Sequence, residues 1–570
     1  MNKAIGKLRP SQLMHYHAPG SIVDLIEDSV MITAADNWKI PYSNRVHEER
    51  LEEQLNLSHL RLINEQEDKI KITATPFPKW RICPNCGMMD PYSGKICFYC
   101  KKENKKEIKL FPARFVVVCE NGHISDFPWI EWVHEEKPCK SETPVLKYES
   151  KGEAGSLSDI VLTCVKCGKK RTLAKIMNKM ELRKVLPECT GERPWLGDYE
   201  DCNRQMQTSI RSASNLYSPI IASALSIPLE ENNEDELQLK VEDMRSGMRN
   251  LIDSLPEGDL LKKAICGLLA IPFEQYERAM KYYYDKRNQV TYDSIRYQEW
   301  GTFIKRDVDY QEEFGFLSKS VPISKELEPY IQSIVRVEKL REIRVLQGFS
   351  RLTYPDPFSE EQPKLLPIMK NKQNWLPAIN IFGEGIFFEL HKDQLLEWES
   401  KPEVREEAEK IFEKYNHQRK QFGYQPRALL PRHILIHTFS HMLIKEFASH
   451  SGYATTALRE RLYCSDEMMG VLIYTASSDS EGSLGGLIEL TSSKKFMPIF
   501  IRALEKMEYC SSDPYCSDGD FKYQTSINGA ACHACCFVSE TSCEWNNQLL
   551  DRRMLSPSVG GNLELAYFKL

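Results

Sequence analysis

Nowhere in its 570 positions does the sequence hold an unbroken run of about eighteen apolar residues, the length a membrane-crossing helix needs. Its first segment, Met1-Asn2-Lys3-Ala4-Ile5-Gly6-Lys7, lacks the apolar stretch of a secretory signal. Neither export nor membrane insertion is expected, and the expected compartment is the cytoplasm. Gly-x4-Gly-Lys-Ser/Thr is missing, so no P-loop, NTPase or helicase motor can be read. His-Glu-x-x-His is missing as well, and no nucleophile triad assembles. Excess positive charge is also lacking, since the formal net charge is −6. Each zinc-bound four-thiolate centre would leave two further negative charges. Overall charge therefore does not drive nucleic-acid binding, although a local basic groove stays open. There is no repeat of fixed period and no low-complexity segment.

What the chain has is cysteine, eighteen of them, arriving in spaced pairs. In a secreted chain such a number suggests disulfides, but with no export signal the pairs read as metal clips in a reducing compartment. Thiolates two residues apart reach one tetrahedral zinc ion from a tight turn, and two such turns close a four-cysteine site. Cys83 and Cys86, followed by Cys97 and Cys100, give this pattern in its most specific form. A second set is expected from Cys164, Cys167, Cys189 and Cys202, with one good pair and two dispersed cysteines. Between them, Cys119, His123, His134 and Cys139 can make a mixed site, but Trp129 and Trp132 speak for ordinary core packing there. Near the C-terminus, Cys516, Cys532, Cys535 and Cys543 are the expected ligands, with Cys510 as the substitute for Cys516 and Cys536 as a spare thiol. Lys101-Lys102 and Lys169-Lys170-Arg171, just after two pairs, read as charges that offset the thiolates.

Composition, 42% hydrophobic and 27% charged, is that of a folded globular protein with room for three or four domains. The expected fold class is α+β and multidomain, with zinc-ribbon-like modules in the N-terminal half and a mixed α/β C-terminal domain ending in a four-cysteine zinc site. Residues 1–75 read as a small mixed lobe, with strands at Ser21–Leu25 and Ser29–Thr33. A helix is expected over His47–Gln66, where Leu51, Leu55 and Leu62 share a face. Residues 76–110 read as a zinc ribbon and 111–205 as a second zinc-binding region opened by a buried strand at Phe115–Val118. Residues 206–425 are expected to be mainly helical with some strands. There Glu230–Glu236 reads as an acidic loop, Ala378–Ile381 and Gly385–Phe388 as strands, and Glu403–Gln421 as a solvated connector helix. Residues 426–570 form the C-terminal domain.

Two further motifs have competing readings. His437 and His441 lie one helical turn apart, which suits two metal ligands, yet Thr438 stands where a zinc hydrolase has Glu. Packing with polar contacts is the expected role. After the apolar strand Val471–Ile473, the glycine-rich segment Tyr474–Gly486 can present backbone N–H groups to a phosphate. Close backbone packing needs glycine equally well.

Taken together, the sequence resembles the DrmB family, the zinc-rich partners of DrmA-type helicases in DISARM anti-phage systems. The resemblance rests on Arg9–Leu13, Pro19–Asp24, Cys119–His123, Asp126–Trp129, Ser212–Tyr217, Gly383–Phe387, His437–His441, Leu472–Ser477 and Asn528–Cys535, spread over almost the whole length. The C-terminal part is similar to the zinc-binding domain of MrfA-type helicases, whose four-cysteine motif is best carried by Cys516, Cys532, Cys535 and Cys543. The resemblance implies zinc as cofactor and a non-catalytic subunit that binds a DrmA-like helicase. It also implies DNA contact mainly within the complex and stimulation of the partner's ATPase. The competing class is a zinc-dependent hydrolase or nuclease using His437 and His441. A zinc-finger transcription factor is disfavoured by sparse basic residues and missing finger spacing.

Overall fold

The first residues to pair are Ile22–Asp24 (β1) and Ser29–Ile32 (β2), an antiparallel hairpin in which Ile22 faces Met31. The computed structural model describes the chain apart from residues 1–4, 27, 65–68, 92–93, 105–106, 136, 151–155, 229–271, 273–290, 311–314, 354, 357–364, 476–484, 518–526 and 558–560. The helix expected over His47–Gln66 is shorter, running over Glu49–Leu55 (α1). Asn56 ends it in the left-handed region at φ 55°, a common helix stop for this residue type. Leu60 and Leu62 then belong to a strand, His59–Leu62 (β3), that pairs in parallel with Trp375–Ala378. Ala74–Pro76 (β4) adds to the free edge of β2.

The cysteine-rich region is built from short pieces. Arg81–Ile82 (β5) sits between Met89–Asp90 (β6) and Phe111–Pro112 (β7), with the helix Phe98–Asn104 (α2) between the latter two in sequence. Phe115–Cys119 (β8) is buried throughout, as its apolar run predicts, and pairs on one side with Ile124–Asp126 (β9). After Trp129–His134 (α3) comes a three-stranded sheet of Leu146–Ser150 (β10), Ile160–Cys164 (β11) and Lys170–Thr172 (β12). Lys179–Val185 (α4) follows, and Met206–Ile210 (β13) returns to the second edge of β8. Trp129, Trp132, Phe127, Leu146 and Leu162 fill the core among them. Arg171 stacks over Trp132 and pairs with Glu135 and Glu181, and Lys101 pairs with Glu107, so carboxylates partner these cations.

Among the described residues, a ten-stranded sheet organises the rest. Its strands include Ser218–Leu225 (β14), Phe316–Val321 (β15), Ile331–Ser350 (β16) and Trp375–Leu390 (β17), with the helix Tyr292–Ile304 (α5) lying between β14 and β15 in sequence. The two expected strands at 378–381 and 385–388 are thus parts of one. Strands β16 and β17 pair antiparallel from Ile331↔Leu390 to Val345↔Ala378 and form a beam through the molecule. At one end β14 and β3 flank it; at the other, β15 and two C-terminal strands do. The expected acidic loop at Glu230–Glu236 falls outside the described residues, as does most of 229–290; the described part of the region 206–425, expected to be mainly helical, carries the strands β14, β16 and β17.

The C-terminal part adds the helices Lys392–Ser400 (α6), Pro402–Gln421 (α7) and Pro431–Ser451 (α8), the hairpin Leu458–Cys464 (β18) with Met469–Thr475 (β19), and the helix Ser493–Glu505 (α9). Helix α7 is no solvated connector. Val404, Ala408, Ile411, Phe412 and Tyr415, one helical stripe, are buried in the largest core beside Phe388, Phe439 and Leu443.

Candidate metal centres

Among the described residues, four groups of thiols and imidazoles close on themselves, and in each the potential donor atoms all lie within 4.8 Å of one another. The first is the expected one, Cys83, Cys86, Cys97 and Cys100. Its Cys83–Cys100 and Cys86–Cys97 sulfur separations are both 3.6 Å. A tetrahedral zinc site with ordinary Zn–S bonds has sulfur edges of about 3.8 Å. The Cys-x-x-Cys turn closes through Gly87 at φ 72°, whose N–H donates to the Cys83 carbonyl. A Cβ there would stand 2.2 Å from the Tyr148 carbonyl oxygen, so glycine is required.

The structure does not bring Cys164 and Cys167 together with Cys189 and Cys202. It corrects the expected second set into two nested groups: Cys119, His123, Cys189 and Cys202 form one, and His134, Cys139, Cys164 and Cys167 the other. The mixed set Cys119, His123, His134 and Cys139 is divided between them. Pairing explains the division. Strand β8 carries Cys119 toward the Cys189 side, whereas α3 carries His134 against β11 and the turn after Cys164. His123 Nδ1 lies 3.5 Å from both the Cys119 and Cys189 sulfurs. His134 Nε2 lies 3.3 Å from Cys167, and Cys139 lies 3.8 Å from Cys164.

Each of these histidines is oriented from behind. His134 Nδ1 donates to the Ile130 carbonyl at 2.7 Å, which leaves Nε2 as the donor atom facing sulfur. His123 turns its Nε2 toward the Glu200 carboxylate, 3.7 Å away. Hydrogen bonding with Cys189, aided by His123, draws the Cys119 thiol down and raises that of Cys189. Sequence did carry a signal for Cys119 and His123. Cys119-Glu-Asn-Gly122-His123 is a knuckle turn in which Gly122, at φ 82°, donates to the Cys119 carbonyl and histidine takes a position near the usual second cysteine.

The fourth group is Cys510, Cys516, Cys532 and Cys535. Its sulfur separations are 3.5 Å for Cys510–Cys532, 3.6 Å for Cys516–Cys535 and 3.8 Å for Cys532–Cys535. Cys510 therefore replaces Cys543 rather than Cys516. Arg552 braces the Cys510–Cys516 turn by donating to both Asp513 carboxylate oxygens and to the Met507 carbonyl. Cys543 lies elsewhere, its sulfur 3.1 Å from His437 Nε2. All four groups are complete donor sets of two or more thiols, the chemistry of closed structural zinc sites, which leave no position for a reacting water.

The glycine-rich segment is described only from Gly485 onward. There the Glu384 carboxylate accepts from the Leu487 N–H at 2.7 Å and from the Tyr453 hydroxyl at 3.3 Å. An internal carboxylate thus takes the Leu487 N–H, just past the segment, while residues 476–484, on which the phosphate reading mainly rests, lie outside the described residues. Burial pushes the Glu384 carboxyl up, against the pull of these donors.

Comparison with known proteins agrees with this geometry. Residues 9–218, which include the first three groups, match a family model described as a domain of unknown function (DUF8724). Residues 439–536, which include all four cysteines of the fourth group, match the MrfA Zn-binding domain. Zinc is accordingly the metal of this protein. Over most of its length the chain is similar to the DISARM protein DrmB of Bacillus paralicheniformis, at 32% identity covering 94% of this chain and 98% of that protein.

Proposed function

Since the chain belongs to the DrmB family of DISARM proteins, we propose that it is a non-catalytic, zinc-stabilised subunit of an anti-phage complex that docks on a DrmA-like DNA helicase. In this role it contributes to the DNA path and raises the partner's ATPase rate. We assign zinc to the four thiol-rich groups described above. The observation that carries the proposal is the match to DrmB over 94% of a chain whose sequence holds no motor motif. The closed donor sets support it. Their work is to hold short strands rigid, and rigid lobes are suited to docking. A net charge of −6 suits a basic partner and leaves most DNA affinity to the complex.

The test is co-purification with a DrmA-type helicase, followed by ATPase assays with and without this chain on DNA. A stable complex and a higher ATPase rate are expected, with weak and strongly salt-dependent DNA binding by the subunit alone. Failure to associate, or an unchanged rate in a formed complex, sinks the proposal. Nuclease activity of the isolated chain that disappears in His441→Ala would favour the hydrolase class instead.

A further inference from the structure

His437, His441, Glu460 and Cys543, none of them a member of the four thiol-rich groups, converge in the interior. We propose that they form a fifth metal site, for a borderline divalent transition ion such as zinc, pinning helix α8 to strand β18 and to the segment after the four-cysteine group. Their potential donor atoms lie within 4.8 Å of one another, and all four residues are buried. His437 Nε2 stands 3.1 Å from the Cys543 sulfur and 3.2 Å from Glu460 Oε1, and His441 Nε2 stands 3.5 Å from Glu460 Oε2. Donor atoms around a tetrahedral zinc ion are separated by about 3.3–3.8 Å.

Hydrogen bonding at His441 carries the argument further. Its Nδ1 lies 3.0 Å from the Cys536 carbonyl oxygen, which can only accept, so Nδ1 bears the proton. In the neutral ring Nε2 is then a lone pair. This atom is wholly buried, makes no hydrogen bond among the described residues and faces a carboxylate oxygen, another lone pair. Two acceptors aimed at each other in the interior are costly, and a metal cation between them removes that cost.

The other donors are braced as metal ligands are. Glu460 accepts from the Ser440 hydroxyl and from the Glu544 N–H at 2.9 Å, and the Cys543 sulfur accepts from the Asn547 N–H at 3.2 Å. Charge fits as well. One carboxylate, one thiolate and two neutral imidazoles cancel a divalent ion, so the filled site is neutral and suits full burial. One nitrogen pair, one oxygen and one sulfur make a borderline donor set, which favours zinc over calcium or magnesium. A cavity of about 500 Å³ reaches Glu460 and Cys543 and offers an entry path for the ion. The site is also joined to the fourth group, because Cys536, whose carbonyl orients His441, directly follows the ligand candidate Cys535.

Metal content of the full-length chain, counted by plasma mass spectrometry, tests this. Cys543→Ser and Glu460→Gln are each expected to carry one ion fewer than the wild type while keeping its circular dichroism spectrum. Folded variants with unchanged metal content overturn the site. If neither variant folds, anomalous diffraction at the zinc edge from wild-type crystals decides. A peak within bonding distance of His441 Nε2 and Cys543 Sγ supports the site, and an ordered region without one overturns it.

Discussion

The guanidinium of Arg351 donates to the carbonyls of Gly20 at 2.6 Å, Gly122 at 3.0 Å and Leu216 at 2.5 Å. These oxygens belong to the N-terminal lobe, to the knuckle turn of the second metal group and to the approach to β14. Arg351 itself follows the end of β16, so one buried side chain ties three distant segments to the beam. It also lies over the rings of Phe349 and Trp195, at 4.9 and 5.1 Å from their centroids. Lysine keeps the charge but not the planar fork, and it cannot reach three carbonyls in different directions. Charge-assisted hydrogen bonds contribute about 1.5–3 kcal/mol each, so Arg351→Lys should destabilise the N-terminal region by about 3 kcal/mol or more. Thermal unfolding followed by tryptophan fluorescence checks this, because Trp195 reports on the site. An unchanged first transition would show that the three carbonyls are satisfied in another way.

At the scale of elements, the beam bends where glycine allows close approach. Register shifts between Val337 and Leu340, opposite Gly383 and Gly385. A Cβ on Gly383 would lie 2.2 Å from the Thr475 carbonyl oxygen, and the intervening Glu384 N–H donates to the Thr475 hydroxyl at 3.1 Å. From that bend the Glu384 side chain reaches the turn at Leu487, linking β17 to the segment that leads into α9. Removing its carboxylate leaves a buried N–H without its acceptor, a cost of about 1–3 kcal/mol. Glu384→Ala should therefore lower stability by that amount and loosen the 485–491 turn, while Glu384→Gln retains an acceptor and loses less. Hydrogen exchange at Leu487 separates the two; equal protection in both variants would refute the link.

The same elements show what the sequence could reveal. Knuckles were legible because a Cys-x-x-Cys-Gly turn is made by adjacent residues, and so were β1, β2, β8 and the start of α7. How the eight donors between Cys119 and Cys202 divide was not, because nesting is decided by β8 pairing with β13 and by α3 packing on β11. Likewise Leu60 and Leu62 read as helix until β3 finds its partner at Trp375–Ala378, some three hundred residues away. Cys510 and Cys543 exchanged roles for a similar reason: only the fold shows that Cys543 faces His437. The buried stripe of α7 was present in the sequence, but its charged outer face hid it.

For the whole molecule, support is unevenly divided. The region from Arg81 to Ile210 consists of strands of two to five residues and short helices. Metal ligation is the natural complement to such a limited core, as in small metal-folded domains. The C-terminal part instead shares a large core of α7, α8, α9 and the long strands, with Phe387, Phe388, Phe439 and Phe500 all fully buried. Removing metal should therefore not unfold the chain uniformly. Treatment with a strong chelator and a reductant is expected to open residues 76–205 to protease first, with cuts between the former metal groups. A fragment containing β16, β17 and the C-terminal helices should persist longer. The beam makes the outcome informative, because β16 enters both cores: Phe349 packs with Trp195, and Val335 packs with Phe387. If stability passed freely along β16, chelation would bring down both ends together, and limited proteolysis would show one cooperative loss. Sequential loss would show instead that the bend at Gly383–Gly385 uncouples the two ends. The C-terminal core would then keep its shape after the metal-held lobe has lost its own.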